Sequence, residues 1–444
     1  MRMSDKARDS YVLPAVLIIV LLLPHVLFLG NGYVDVELYV VDAASEVARY
    51  GLNANLTDYF YTVFNPIFSV LLLGGSYTIF GESEIVSRLT ISALSVGFTL
   101  FLYFYLRRRT GTSISFVAPL LVISNPMFIV YSQYVGSDVP FFILTSVALL
   151  VILYASTPRR EMIVSSIMLG ISLATKYVTA VVFPVVLIYS SIKLELFPHF
   201  SRDKLLALVR FNLWYFGLTL AVSLPFILVA LKYQTGIVPP EVESLHTVGV
   251  AMFIPRFTSS LLWLGLFIGP SCLIFFLDLW DKTGKKKFLA ILSILAVLTL
   301  IISYFFPISS LHIQDGTFGE MNLGWVESVV PSPILSSALF FVILVGELFV
   351  ANLVFDLKYS ENEGRRKLIY WIVVPIVVMP FTRVANRYML VILVPLSLYL
   401  ADIINKMYAE HRKSFILAVL VLHVLIFISV GFYSNYYLQL RGQG

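Results

Sequence analysis

Apolar residues run along this chain in long blocks separated by short polar clusters. The blocks fall at 11–29, 85–106, 113–131, 139–156, 162–176, 178–192, 208–231, 259–279, 288–306, 334–356, 368–381, 388–404 and 414–433. A helix needs about 20 apolar residues to cross a bilayer, so the pattern predicts about thirteen transmembrane helices. Backbone groups in lipid must be satisfied within the segment, which makes helices the only form open to these blocks. The predicted fold is therefore all-α and polytopic, a single membrane domain over 1–444. The block at 64–80 is apolar but short, with Pro66 near its start and Gly74-Gly75 inside it. It predicts an interfacial helix lying in the first external loop, 30–84. The stretch 162–192 is too long for one straight crossing. A hairpin turning at Thr175-Lys176-Tyr177 resolves it and puts Lys176 at the outer surface.

Composition agrees with this class. Of 444 residues, 59% are hydrophobic and 13% are charged, against about 25% charged in ordinary soluble domains. The mean hydropathy is +0.89. A water-soluble fold of this size could not hide so much apolar surface in one core. Most of the 31 Lys and Arg fall in alternate loops, at 2–8, 107–109, 159–160, 193–210, 282–287, 358–367 and 406–413. By the positive-inside rule those loops are cytoplasmic, so the N-terminus is inside and the C-terminus outside. A crossing at 64–80 would reverse that asymmetry. The basic start followed by an apolar run looks like a signal peptide, but no small-residue cleavage site follows, and it reads as an uncleaved first helix. The net charge of +5 does not imply nucleic acid, because the cations sit in loops where they set topology. Cys272 is the only cysteine and cannot form an internal disulfide. The outer loops 30–84, 232–258 and 307–333 are long and the inner ones short, so the active surface should face outward. No internal repeat or soluble domain is visible.

Five places carry candidate chemistry. After the first block, Asp35, Tyr39, Asp42 and Glu46 recur at i, i+4, i+7 and i+11, one face of a helix that Gly51 would end. A carboxylate just outside a membrane helix suits a general base, or is a solvated acidic face. Asp138 stands in a tight outer turn, Tyr131-Ser-Gln-Tyr-Val-Gly-Ser-Asp138, ahead of Pro140. It could cap the next helix, or bind a metal or orient a substrate. Lys176 lies within apolar sequence beside Tyr177, where a cation needs a partner; it snorkels to the interface or contacts a phosphate. Arg383 and Arg387, followed by Tyr388, share one short outer turn on a side otherwise poor in cations. Arg suits bidentate phosphate binding, and an interfacial anchor is the alternative. His312 and Asp315 in the loop 307–333 are three apart; a solvated loop covering an outer cavity fits them better than a metal site.

Together these segments resemble the GT-C superfamily of membrane glycosyltransferases, in the branch related to protein O-mannosyltransferases and lipid A aminoarabinose transferases. Asp35-x-x-x-Tyr39-x-x-x-Ala43 with Gly51 looks like the acidic motif after the family's first helix. Asn65-Pro66 through Glu82, with Ser87-Arg88-Leu89, looks like its juxtamembrane helix and second membrane helix. Ser124-Asn-Pro126, Tyr131 and Asp138 look like its next turn, and Gly170 through Tyr177 and Asn386-Arg387-Tyr388 like later signatures. The resemblance is strongest over 11–190, with a second patch at 380–400. The family often has adjacent Asp and Glu, whereas here Val36 separates Asp35 from Glu37, so Asp42 stands as a fallback second acid.

The resemblance implies transfer of a sugar from a polyprenyl-phosphate-linked donor to a lipid, glycan or protein acceptor, with inversion, at the extracytoplasmic face. Asp35 would be the base, and Asp138, catalytic with it, would position the acceptor or help organise the site. Lys176 with Arg383 or Arg387 would hold the lipid phosphate, and Tyr39, Asp42, Tyr177 and Tyr388 would complete the substrate site. No cofactor is implied, although a divalent metal would suit the acids. A transporter or flippase of lipid-linked sugars would instead carry charges along a midplane path and often repeats. A polysaccharide polymerase or ligase would share the donor class.

Overall fold

A computed structural model describes residues 5–27, 33, 37–63, 65–154, 158–194, 201–233, 250–305, 331–360, 362–381, 386–409 and 413–442. Helices account for nearly all of these, and no strand occurs among them. In chain order they are α1 (Asp5–Leu27), α2 (Glu37–Tyr50), α3 (Thr57–Thr62), α4 (Phe68–Phe80), α5 (Glu84–Arg107), α6 (Thr112–Ser124), α7 (Pro126–Tyr131), α8 (Asp138–Leu153) and α9 (Pro158–Leu173). They continue with α10 (Phe183–Lys193), α11 (Arg202–Tyr233), α12 (Val250–Ile268), α13 (Cys272–Thr283), α14 (Lys285–Phe305), α15 (Ser332–Tyr359), α16 (Glu363–Val378), α17 (Leu393–Ala409) and α18 (Lys413–Gly442). Where they are described, the predicted membrane segments fall mainly on helix. Among the described residues, 7 spans are long and apolar enough to cross a membrane by length and composition. The chain is an all-α, multi-pass membrane protein.

Two of the predicted helices are interrupted. The segment 113–131 breaks at Asn125-Pro126, where the proline has no N–H to give and Asn125 Oδ1 accepts from the Met127 amide at 3.0 Å. The segment 259–279 breaks at a 3₁₀ turn, Gly269–Ser271, whose Pro270 likewise cannot continue the ladder. Hydropathy runs unbroken across both sites. The helix α4 has 13 residues, about 20 Å of rise. That is too short for the roughly 30 Å hydrocarbon core and agrees with an interfacial placement. The expected stop at Gly51 is present, with φ of +57°.

The contacts define two compact units. One comprises Met1–Leu27, Thr99–Val130 and Val248–Gly444; the other comprises Phe28–Phe98 and Tyr131–Thr247. In the first unit, α12 and α15 cross at glycines. A Cβ on Gly265 would lie 2.0 Å from the Val342 carbonyl oxygen, and one on Gly346 would lie 2.1 Å from that of Leu261. Lipid gives helices no hydrophobic reason to associate, so such close backbone approach supplies the packing. At one end of this unit, Lys282 bonds Asp278 at 2.5 Å and Asp356 at 2.6 Å. Arg365 joins Asp356 to Asp402, and the buried Tyr399 hydroxyl donates to Asp356 at 2.6 Å. These links tie α13, α15, α16 and α17 with charges of both signs.

In the second unit, α8 packs on α9, α9 on α11, and α2 on α4. The buried face of α2 (Val40, Val41, Ala43, Ala44) joins Phe60, Val70, Leu73 and Tyr77 in one core that also takes in Val135 of the turn before α8. That core fixes the turn against the start of α2.

Candidate functional site

The turn 131–138 is the hub of the second unit. Its Val135 is buried and its Val135 amide donates to Glu37 Oε1 at 2.6 Å. Glu37 is 1% exposed and opens α2. Arg88, one turn into α5, lays its fork on the same carboxylate at 3.3 and 3.5 Å. Arg88 also donates to the Gln133 carbonyl at 2.7 Å and to Glu84 at 2.8 Å, and lies 5.9 Å over the Tyr33 ring. A buried carboxylate without partners would be prohibitively costly, so the guanidinium and the turn amide make Glu37 tenable. Tyr33 and Tyr77 both bond the Ser87 hydroxyl, at 2.8 and 2.5 Å, next to Arg88.

Three residues further along the turn, Asp138 meets Lys176. Both are 4% exposed, and Lys176 Nζ donates to Asp138 Oδ1. Asp138 is the first residue of α8, and Ser137 occupies the N-cap without a side-chain capping bond. Asp138 thus serves as an ion-pair partner rather than as a cap. Lys176 was expected to snorkel to the interface or contact a phosphate. It is buried within the protein, because the backbone between α9 and the 3₁₀ turn Tyr177–Val182 extends there (φ −157°, ψ 127°) and carries the side chain to Asp138. The Tyr177 hydroxyl is buried, and so is that of Tyr59, which donates to the Pro66 carbonyl at 3.2 Å. Burial raises the Tyr59 hydroxyl above its ordinary pKa, with Tyr177 adding to the shift.

The remaining expected residues divide as follows. Tyr39 and Asp42 lie on the exposed face of α2, away from the Glu37 contacts. Arg387 and Tyr388 belong to the first unit, in the 3₁₀ turn Asn386–Ile392; both are half-buried, and the guanidinium lies 5.8 Å over the Tyr388 ring. Asp35, Arg383, His312 and Asp315 lie outside the described residues. Among the described residues no three His, Cys, Asp or Glu side chains gather where a metal could be held. Arg88 escaped notice as a site residue, although it stands near the start of an apolar run, at the end opposite the basic cluster 107–109. Glu37 was obscured because helical spacing from Asp35 selects 39, 42 and 46.

The described residues form an all-helical membrane architecture with a buried ion pair beside the turn 131–138. Residues 65–235 match the dolichyl-phosphate-mannose-protein mannosyltransferase family. Among solved structures, the chain is similar to ArnT from Cupriavidus metallidurans bound to undecaprenyl phosphate, with a TM-score of 0.55 and 13% identity over 98% of this chain and 77% of that one. It is also similar to the Archaeoglobus fulgidus oligosaccharyltransferase in complex with Zn and sulfate, with a TM-score of 0.54 and 12% identity. That likeness covers 95% of this chain but 53% of the oligosaccharyltransferase. At these identities the likeness is one of fold. No curated protein matches the chain by sequence.

Proposed function

We propose that this protein is an inverting membrane glycosyltransferase that moves a sugar from a polyprenyl-phosphate-linked donor to an acceptor at the extracytoplasmic face. The observation that carries the reading is the convergence of Glu37, Arg88, Asp138 and Lys176 on one turn within the stretch that matches the mannosyltransferase family. The fold shared with an undecaprenyl-phosphate-bound ArnT supports a lipid phosphate as the leaving group.

In the transfer, an acceptor hydroxyl attacks the anomeric carbon. A base takes its proton as the sugar–phosphate bond breaks and the polyprenyl phosphate departs with the electron pair. Asp35 is the proposed base. Lys176 stabilises the departing phosphate, sharing its charge between Asp138 and the ligand. Arg383 and Arg387 are proposed as further phosphate contacts, and Tyr39, Asp42, Tyr177 and Tyr388 as substrate contacts. Glu37 and Arg88 hold the turn that carries Asp138. A polar, hydrogen-bonded site of this kind needs no cofactor, and a divalent ion would add to the phosphate's stabilisation if the acids held one.

Replacement of Asp35 by Asn removes the base without changing size, and should lower transfer at least about 100-fold. An Asp35→Asn protein that folds and transfers at the wild-type rate would overturn that assignment. Replacement of Arg387 by Ala should weaken donor binding, measured as a rise in donor KM.

A further inference from the structure

The Asp138–Lys176 pair is set at two irregular places. Asp138 follows directly on a turn, and Lys176 stands in extended backbone between helices. The adjoining helices hold the backbone at both places, through the Lys176 amide on the Ser172 carbonyl at 2.9 Å and the Phe141 amide on the Ser137 carbonyl at 3.0 Å, and a further segment bears on the pair from the side. The lead-in to α4 touches both sides of it. Asn65 Nδ2 donates to the Ser137 hydroxyl at 3.2 Å, one residue before Asp138. The Phe68 amide donates to the Ala174 carbonyl at 3.2 Å, two residues before Lys176. Between them, Pro66 has a fixed φ and its carbonyl accepts from the buried Tyr59 hydroxyl. Phe68 also meets Phe226 edge to face at 6.1 Å. The short stretch 65–68 is thus anchored to α3 and α11, and it clasps each partner of the pair through its chain neighbour.

We propose that Asn65 is a positioning residue, acting through Ser137 to fix the Asp138 carboxylate against Lys176. Ser137 occupies an N-cap without making the capping bond. The Asn65 amide is what orients its hydroxyl. Without that amide the hydroxyl turns to the helix amides and no longer braces the start of α8, and Asp138 samples rotamers that release Lys176. The consequence for catalysis rests on the transferase reading; the geometric claim does not.

The test is amine acylation of the full chain in lipid, with the modification of each lysine followed by peptide mass spectrometry. Lys282 is the internal reference, since it is held in the separate network with Asp278 and Asp356. In Asn65→Ala, Lys176 acylation should rise about fivefold, the population change expected from losing one neutral hydrogen bond. Lys282 should be unchanged. Ser137→Ala should raise Lys176 labelling to a similar degree, and the double variant should go no further than the larger single. Wild-type labelling of Lys176 in Asn65→Ala would overturn the proposal. So would a parallel rise at Lys282, which marks general loosening, or additive effects in the double variant. Because the labelling needs no substrate, a wild-type protein that transfers no sugar would sink the transferase reading and leave this result standing.

Discussion

Removing one partner from a buried ion pair strands the other charge, and the cost exceeds what the intact pair contributes. Asp138→Ala and Lys176→Ala should therefore each destabilise the protein by about 3–5 kcal/mol, read from denaturant titration in micelles. The double variant Asp138→Leu/Lys176→Met should recover most of that stability and none of the transfer activity. Recovery of transfer would mean that the pair is structural only. Glu37 has the same exposure to loss, since it accepts from Arg88 and the Val135 amide, and Arg88 also donates to the Gln133 carbonyl. Part of this was legible in the chain. Lys176 stands out because it interrupts apolar sequence, where a charge needs a reason, and Asp138 because it is the one acid in a short turn between two apolar runs. Their pairing was not legible, because it depends on the break after α9 that turns Lys176 inward. Glu37 was hidden by Val36, and the face that helical spacing selects from Asp35 proved to be the exposed one for Tyr39 and Asp42.

At the scale of elements, two kinds of contact set the helices. The α12–α15 crossing depends on an absent side chain. Gly346→Leu must push the helices apart, and should cost about 1–3 kcal/mol, seen as a lower unfolding temperature; an unchanged value would mean that the crossing is looser than the backbone distances imply. The end of α2 is pinned to the turn between α4 and α5 differently, by Arg49 and Glu82 at 2.8 Å, both exposed. A hydrogen bond from Ser45, with the Arg49 guanidinium, holds the Glu82 carboxyl below its ordinary value of 4.5. A depressed carboxylate contributes stability that is present above its unfolded pKa and lost as pH falls through the folded one. The wild type should thus lose this contribution below pH 4.5, whereas Glu82→Gln should lack it at every pH; identical acid-unfolding profiles would contradict the clasp. Helix existence was readable throughout from apolar block length. The breaks at Asn125-Pro126 and Gly269-Pro270 were marked by their prolines but masked by continuous hydropathy, because proline costs little in a block count and much in a hydrogen-bond ladder.

Across the whole molecule, the composition fixes a membrane protein and the fold is like those of ArnT and the archaeal oligosaccharyltransferase, while the proposed chemistry depends on a handful of charges in an otherwise apolar chain. Charge in such surroundings is expensive, which is why those residues pair with one another and why we propose that a charged ligand is handled there. A lipid-linked phosphate meets that description, since its tail belongs in the bilayer and its head group needs cations at the boundary. The direct measurement is transfer by the purified protein, reconstituted in lipid and offered radiolabelled polyprenyl-phosphate sugars together with lipid, glycan and peptide acceptors. The account predicts a labelled product with inverted anomeric configuration from wild-type protein, reduced at least about 100-fold in Asp35→Asn. Labelled donor carried across the bilayer intact, with no sugar transferred to any acceptor, would contradict it.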